Sequence, residues 1–316
     1  MPELPEAETI VRDLRRRLPG SRIAGARVPF PDILATGLTP DLLHDAVADN
    51  AFADVQRRGK NVVLLLADHR RVAVNLGMTG RLVVDDAPRA GELRHIAARF
   101  FLADGRTLLF DDTRRFGRID LYDPAAWKRR DRELGAEPLG RAFTAARMHA
   151  LTGASRSPIR NWLLDQRRVA GVGNIYANEA LFRARIHPAR PANTIDVREA
   201  THLHRALRAV LRDAIRARGT TLRDYRDGSG EAGTFEPRLR VYGRDGEPCP
   251  RCGDTIERVV LSNRSAFFCP TCQGEPRRVR RGGCTEEDTA RWVHRGGVRG
   301  DRGRQRVRGS GGGSNA

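Results

Sequence analysis

The chain opens Met1-Pro2-Glu3-Leu4-Pro5-Glu6. With Met1 removed, its first group is the secondary amine of Pro2, and two carboxylates, Glu3 and Glu6, follow closely. An unprotonated amine attacks carbonyl-like carbons and forms a covalent Schiff-base adduct. The adduct of a secondary amine has no N–H proton to lose, so it stays a cationic iminium and acts as an electron sink. Nearby carboxylates can move protons in such a reaction. The same residues also read as an ordinary helix start, with Pro5 in the first turn and Glu6 and Glu8 at its positive end.

Four of the five cysteines fall as Cys249-x2-Cys252-x16-Cys269-x2-Cys272, and Cys284 stands apart with no assigned role. In a reducing compartment two Cys-x-x-Cys knuckles mean metal rather than disulfides. Four thiolates bind one zinc tetrahedrally and leave no position for substrate, so the metal is expected to be structural. No redox or nucleotide cofactor is expected. The zinc would present the hairpin between the knuckles, which carries Asn263 and Arg264. Two further stretches can hold phosphate. Gly171-Val172-Gly173-Asn174 is a glycine turn opening a helix, where free N–H groups suit an anion, or simply a tight connection. Arg57-Arg58-Gly59-Lys60 is a basic run at a strand edge, ordinarily a solvated face.

These groups need a frame. Leu4, Ala7, Val11, Leu14 and Leu18 alternate at spacings of three and four, which predicts an amphipathic helix over 5–18 that would fix the N-terminus. From about 22 to 123 the pattern is mostly strands: 62–66, 72–76, 81–84, 96–102, 107–110 and 118–122, with Asp104-Gly105 as a hairpin turn. Short spacings without helical crossovers predict antiparallel sheets in a sandwich or flattened barrel. Residues 124–157 read as a less regular connector. Helices follow: one opened by Pro158 with Trp162 and Leu163, one after the glycine turn, and one over 196–218. The last has Asp196 and Glu199 as a capping box and a stripe of Val197, Ala200, Leu203, Leu207, Val210, Leu211 and Ala214. Residues 224–238 read as a long mobile loop and the Arg/Gly-rich tail as disordered.

Composition narrows the partners. The 316 residues hold 57 Lys and Arg against 39 Asp and Glu, a net charge of +18. That balance suits a polyanion, most simply nucleic acid. No apolar run reaches membrane-spanning length and no signal peptide opens the chain. A cytoplasmic, bacterial-type protein associated with the nucleoid is expected, with no membrane partner, acting as a monomer.

Pro-Glu-Leu-Pro-Glu-Ala-Glu-Thr after Met1 resembles the start of the formamidopyrimidine-DNA glycosylases, bifunctional base-excision enzymes. The resemblance continues through Leu76-Gly77-Met78-Thr79-Gly80, Arg114-Arg115-Phe116-Gly117, Gly171 to Leu181 with Ile186-His187-Pro188, and Ser262 to Cys269. It covers about 1–276. It implies an α+β multidomain fold: an N-terminal antiparallel β-sandwich with an N-terminal helix (1–135), a linker (136–157), a helix–two-turn–helix domain (158–243), a zinc ribbon (244–276) and a basic tail (277–316).

The resemblance also implies roles. Pro2 would be the nucleophile, with Glu3 and Glu6 moving protons and Lys60 contacting phosphate and assisting elimination. Asn174 and Arg264 would hold phosphates beside the lesion. Met78, Arg114 and Phe116 would fill the gap left by an extruded base, an apolar wedge and an aromatic replacing lost stacking while Arg meets the orphaned base edge. Patterning alone reads Met78 and Phe116 as core. The implied substrate is double-stranded DNA with oxidised purines (8-oxoguanine, formamidopyrimidines) or abasic sites, cut by β,δ-elimination. Two departures stand out. Asn75 occupies a position usually held by a phosphate-binding histidine, and Asp111-Asp112-Thr113 replaces the proline usual before the arginine pair. Three alternatives remain open: the endonuclease VIII branch, which removes oxidised pyrimidines, a non-catalytic damaged-DNA binder, and a basic zinc protein of the translation machinery.

Overall fold

The computed structural model describes residues 2–85, 94–221 and 232–274. The first helix, α1, spans Leu4–Arg15. Glu3 caps it, and the capping box closes through the Glu3 N–H donating to Glu6 Oε2 at 2.8 Å. The helix ends three residues earlier than the apolar stripe predicts, because Arg16 to Leu18 tighten into turns, but Leu18 still packs in the core. The stripe is divided: Ile10, Val11 and Leu14 belong to the sandwich core, whereas Leu4 packs with Trp162, Tyr176 and Leu207 of the helical core. One short helix is thus wedged into two cores, which makes its first residues a rigid mount.

The sandwich is built from β1 (Ile23–Arg27), β2 (Phe52–Arg58), β3 (Asn61–Leu66), β4 (Arg71–Asn75), β5 (Arg81–Asp85), β6 (Ile96–Leu102), β7 (Thr107–Asp111) and β8 (Arg118–Tyr122). Two four-stranded sheets form, ordered β1-β6-β7-β5 and β2-β3-β4-β8, and every pairing is antiparallel. Val62, Leu64, Val72, Val74 and Ile119 of one sheet face Phe100, Leu108 and Phe110 of the other, with Phe52 set edge-on to Phe100. Each such side chain contributes roughly 1.5–3 kcal/mol on burial. The expected turn at Asp104-Gly105 joins β6 to β7. A helix does intervene between the first two strands: α2 (Pro40–Val47), capped by Thr39, whose hydroxyl accepts the Leu42 N–H.

The stretch 124–157 is more regular than its pattern predicts. It contains α3 (Pro124–Glu133), which buries none of its residues, and α4 (Ala145–Gly153), which buries Met148. Then come α5 (Ile159–Leu164), α6 (Asn174–Ala184) and α7 (Val197–Arg216). The capping box of α7 forms as expected, and its stripe is buried from Ala200 to Ala214. Val197 is the exception, exposed at the first turn where the helix has not yet reached the core.

The zinc-ribbon hairpin is β9 (Glu257–Leu261) and β10 (Arg264–Phe268), followed by the single turn α8 (Pro270–Gln273). Its small core joins Ile256, Phe267, Cys249 and Cys269 to Phe182 and Val241. More than half of the predicted mobile loop, residues 224–231, and the tail expected to be disordered lie outside the described residues. Of the remainder of that loop, Glu236–Arg238 form a 3-10 turn.

Candidate active site and nucleic-acid interface

Glu3 is buried, and its carboxylate sits on the N-terminus of α6. Oε1 accepts the Ile175 N–H at 2.9 Å and Oε2 the Gly173 N–H at 2.9 Å. The seat requires glycine at 173, since a Cβ there would lie 2.3 Å from Glu3 Cδ. Burial and the adjacent Glu6 raise the Glu3 pKa to about 7, against the opposing pull of the helix N–H groups. Glu6 is buried too. Its carboxylate accepts the Tyr176 hydroxyl, the Thr220 N–H at 2.8 Å and the Glu3 N–H. Burial raises its pKa as well. Pro2, directly before this pair, is buried. Two buried acids whose pKa values are both raised, close behind Pro2, are equipped to donate and accept protons around it.

Lys60 lies in the turn between β2 and β3, close enough to Glu3 and Arg264 to interact with both. Its pKa is lowered by burial, with Glu3 opposing and Arg264 reinforcing the shift. Arg264 is exposed at the tip of the ribbon hairpin, whose turn residues Ser262 and Asn263 both adopt positive φ. Asn174, at the first turn of α6, is held by protein on both sides of its amide: Nδ2 donates to the Ser265 carbonyl and Oδ1 accepts from Arg160. Lys60, Arg264 and Asn174 therefore come together beside the N-terminal pair.

Arg160 escaped the sequence reading. It is 1 % exposed and spends all five N–H groups on Asn174, Asn161 and the carbonyls of Leu261 and Ser265, with no carboxylate among these partners. Burial, then the neighbouring Arg264, lowers its pKa to about 10. It bolts the ribbon hairpin to α5 and α6. Glu179 was also missed. Its buried carboxylate accepts the N–H groups of Arg240, Val241 and Tyr242. Tyr242 is thereby brought beside Asn174. Sequence offered no signal for either beyond a charge within an apolar helix.

The wedge residues correct the patterning. Met78 is 39 % and Phe116 58 % exposed, so neither belongs to the core. The Arg114 guanidinium stacks over the Phe116 ring at 4.8 Å. The loop carrying them is organised by Asp112, which is fully buried and accepts the Thr79 hydroxyl and the N–H groups of Arg114 and Gly117. Asp111 next to it takes Arg81 and the His95 N–H. The acidic pair thus replaces a proline's rigidity with hydrogen bonds. Asn75 caps the Gly77 N–H and donates to Asn61 Oδ1 at 2.9 Å, so its amide serves the turn before Met78. Arg57 and Arg58 are not a solvated face either. They are largely buried in ion pairs with Glu8, Glu137 and Asp131.

The four cysteine sulfurs lie within 4.8 Å of one another, with Cys249–Cys272 at 3.9 Å and Cys252–Cys269 at 3.5 Å. A tetrahedral zinc with bonds of about 2.3 Å spaces its sulfurs by roughly 3.8 Å, so the donor set fits that ion.

Comparison with known proteins agrees with this geometry across three segments. Residues 1–119 match the formamidopyrimidine-DNA glycosylase N-terminal domain, 134–226 the formamidopyrimidine-DNA glycosylase H2TH domain, and 246–274 the zinc finger found in FPG and IleRS. The formamidopyrimidine-DNA glycosylase of Chloroflexus aurantiacus is 43% identical over 274 residues, covering 86% of this chain and 98% of that protein. The chain belongs to the formamidopyrimidine-DNA glycosylase family. The counterpart from Pelotomaculum thermopropionicum is 44% identical over 280 residues, covering 86% and 99%. Among solved structures, the MutM (FPG) protein of Thermus thermophilus superposes with a TM-score of 0.77 at 40% identity, covering 87% of this chain and 99% of that one. A Lactococcus lactis FPG mutant in complex with a Fapy-dG containing DNA gives 0.79 at 31% identity, covering 87% and 100%.

As a member of this glycosylase family, the chain is a DNA glycosylase of base-excision repair. Its four ribbon cysteines hold one structural zinc. No helix among the described residues is long and apolar enough to cross a membrane.

Proposed function

We propose that the chain excises oxidised purines, 8-oxoguanine and formamidopyrimidines, from duplex DNA through a covalent Pro2 adduct, and then cuts the strand by β,δ-elimination. The observation that carries this reading is the buried Glu3, with a pKa of about 7, joined directly to Pro2 and seated on α6 within reach of Lys60. A non-catalytic DNA binder has no use for a costly buried acid pair at its terminus. A Lactococcus lactis relative has been captured with a Fapy-dG containing DNA, and another with an abasic site containing DNA.

With Met1 removed, the Pro2 nitrogen attacks the sugar C1′ and displaces the base, which leaves with the electron pair of the glycosidic bond and takes up a proton. Protonated Glu3 gives its proton to the ring oxygen as the sugar opens, so the nitrogen–carbon bond becomes an iminium. The iminium acidifies C2′. Loss of that proton expels the 3′ phosphate, and a second elimination expels the 5′ phosphate. Glu6 holds the Glu3 backbone and shares protons with it. Lys60, Asn174 and Arg264 hold the flanking phosphates, and Met78, Arg114 and Phe116 occupy the gap in the stack.

Borohydride reduction tests this directly. It should trap an enzyme–DNA adduct on a duplex containing 8-oxoguanine, and Pro2→Gly should lose most of the trapping. Undiminished trapping by Pro2→Gly, or by a preparation that retains Met1, would remove Pro2 as the nucleophile.

A further inference from the structure

Lysine occurs only twice among the 57 Lys and Arg residues, at Lys60 and Lys128. Arginine stays charged at every working pH and carries a broad planar fork, whereas lysine offers a compact amine that can release its proton. The site thus uses the chain's rarer cation, and that amine has to be placed well. Lys60 itself makes no hydrogen bond to the described residues, so its location depends on the backbone that bears it.

That backbone is held by Glu137, in the stretch between α3 and α4. Glu137 Oε1 accepts the Gly59 N–H at 2.6 Å and a bond from Arg58, and Oε2 accepts Arg57 at 2.7 Å. The two arginines have other anchors. Arg57 also pairs with Glu8, and Arg58 with Asp131 and the carbonyls of Asp131, Leu134 and Gly135. The Gly59 N–H has no other acceptor among the described residues. Gly59 holds a left-handed φ of +60° and lies against the Gly171 backbone, so the residue before Lys60 is locked from two sides.

We infer that Glu137 is a positioning residue for Lys60, fixing the Gly59 peptide so that the amine stays beside Glu3 and the phosphate clamp. The inference rests on the reading of Lys60 as a phosphate-holding group. Charge compensation of Arg57 and Arg58 would be the merely structural role, and two conservative variants separate the roles. Glu137→Gln keeps the reach and one acceptor oxygen for the Gly59 N–H but loses the charge. Glu137→Asp keeps the charge but falls one methylene short of Gly59.

The salt dependence of binding to a duplex carrying a stable abasic analogue reads the outcome, because losing one phosphate contact lowers the slope of log Kobs against log salt by about 0.9. A fall in the folded fraction shifts the line without changing its slope. Glu137→Gln should keep the wild-type slope. Glu137→Asp should lose about one contact, as Lys60→Ala should, and adding it to Lys60→Ala should cause no further loss. Acylation of lysines read by peptide mass spectrometry, with exposed Lys128 as internal reference, should show Lys60 labelling several-fold faster in Glu137→Asp only.

If Gln lost the contact and Asp kept it, or neither changed the slope while Lys60→Ala did, Glu137 would not position Lys60. If Lys60→Ala itself left the slope unchanged, the phosphate reading of Lys60 would fall and take the inference with it, while borohydride trapping would still report independently on Pro2.

Discussion

Glu3 Oε1 accepts the Ile175 N–H at 2.9 Å, which seats the acid that follows Pro2 on the positive end of α6. The helix end favours the carboxylate, burial disfavours it more, and the balance leaves the group near neutrality. The seat can be removed without touching either acid. Gly173→Ala would place a methyl 2.3 Å from Glu3 Cδ and expel the side chain from α6. Excision of 8-oxoguanine in single-turnover assays should fall at least tenfold, while far-UV circular dichroism stays close to wild type. Normal excision by this variant would show that the helix seat has no part in the chemistry.

The raised Glu3 pKa also predicts a pH dependence of stability. An acid whose folded pKa lies above its unfolded value contributes stability that is fully present below the unfolded value and lost as pH rises through the folded one. For Glu3 the window runs from about 4.5 to about 7. A shift of that size amounts to about 3 kcal/mol. Glu6 adds in the same direction. Urea unfolding should therefore show stability declining across this window, and Glu3→Gln should flatten much of the decline. The same titration should depress excision above pH 7, where the proton donor is lost.

Phe116 and Asp112 should separate function from stability. Phe116 is mostly exposed, so Phe116→Ala should change stability by less than about 0.5 kcal/mol. Excision from duplex DNA should nevertheless drop, since nothing then fills the gap in the stack. Asp112→Ala strands the Thr79 hydroxyl proton and the Gly117 N–H in a buried site, while the Arg114 N–H keeps the Thr79 oxygen. About 2–3 kcal/mol of destabilisation is expected, together with the excision defect. Equal melting temperatures for the two variants would contradict this division.

These contrasts follow what the chain made legible. The α1 stripe, six strands and the α7 capping box could be read because their apolar residues repeat at the period of the element. β1 and β2 were harder, since Ile23-Ala-Gly-Ala-Arg27 and Phe52-Ala-Asp-Val-Gln-Arg-Arg58 alternate weakly. α3 buries nothing, so it has no stripe to read, whereas α2 carried an overlooked Thr39-Pro40 start. The N-terminal acids and the cysteines stood out by residue type and position, and Lys60 through the family resemblance. Arg160, Glu179, Tyr176 and Glu137 did not, because each is defined by a distant partner, as Arg160 is by the Ser265 carbonyl. Met78 and Phe116 misled patterning for the opposite reason, being apolar residues kept in solvent.

The ribbon supplies the last prediction. It is tied to the helical half by Asn178 accepting the Phe267 N–H, by Gln273 donating to the Ile186 carbonyl, and by Arg160. Its own core is small, so the metal must provide much of its stability. Modification of the thiols should release one zinc per chain, measured with a colorimetric chelator. Loss of the hairpin should then free Arg264 and weaken binding to an abasic-site duplex at least tenfold, while helical circular dichroism changes little, because the α6–α7 core packs through Leu181, Leu203, Leu207 and Val210 without the ribbon. Unfolding of the helices in the same step as zinc release would instead mean that ribbon and helical half fold as one unit.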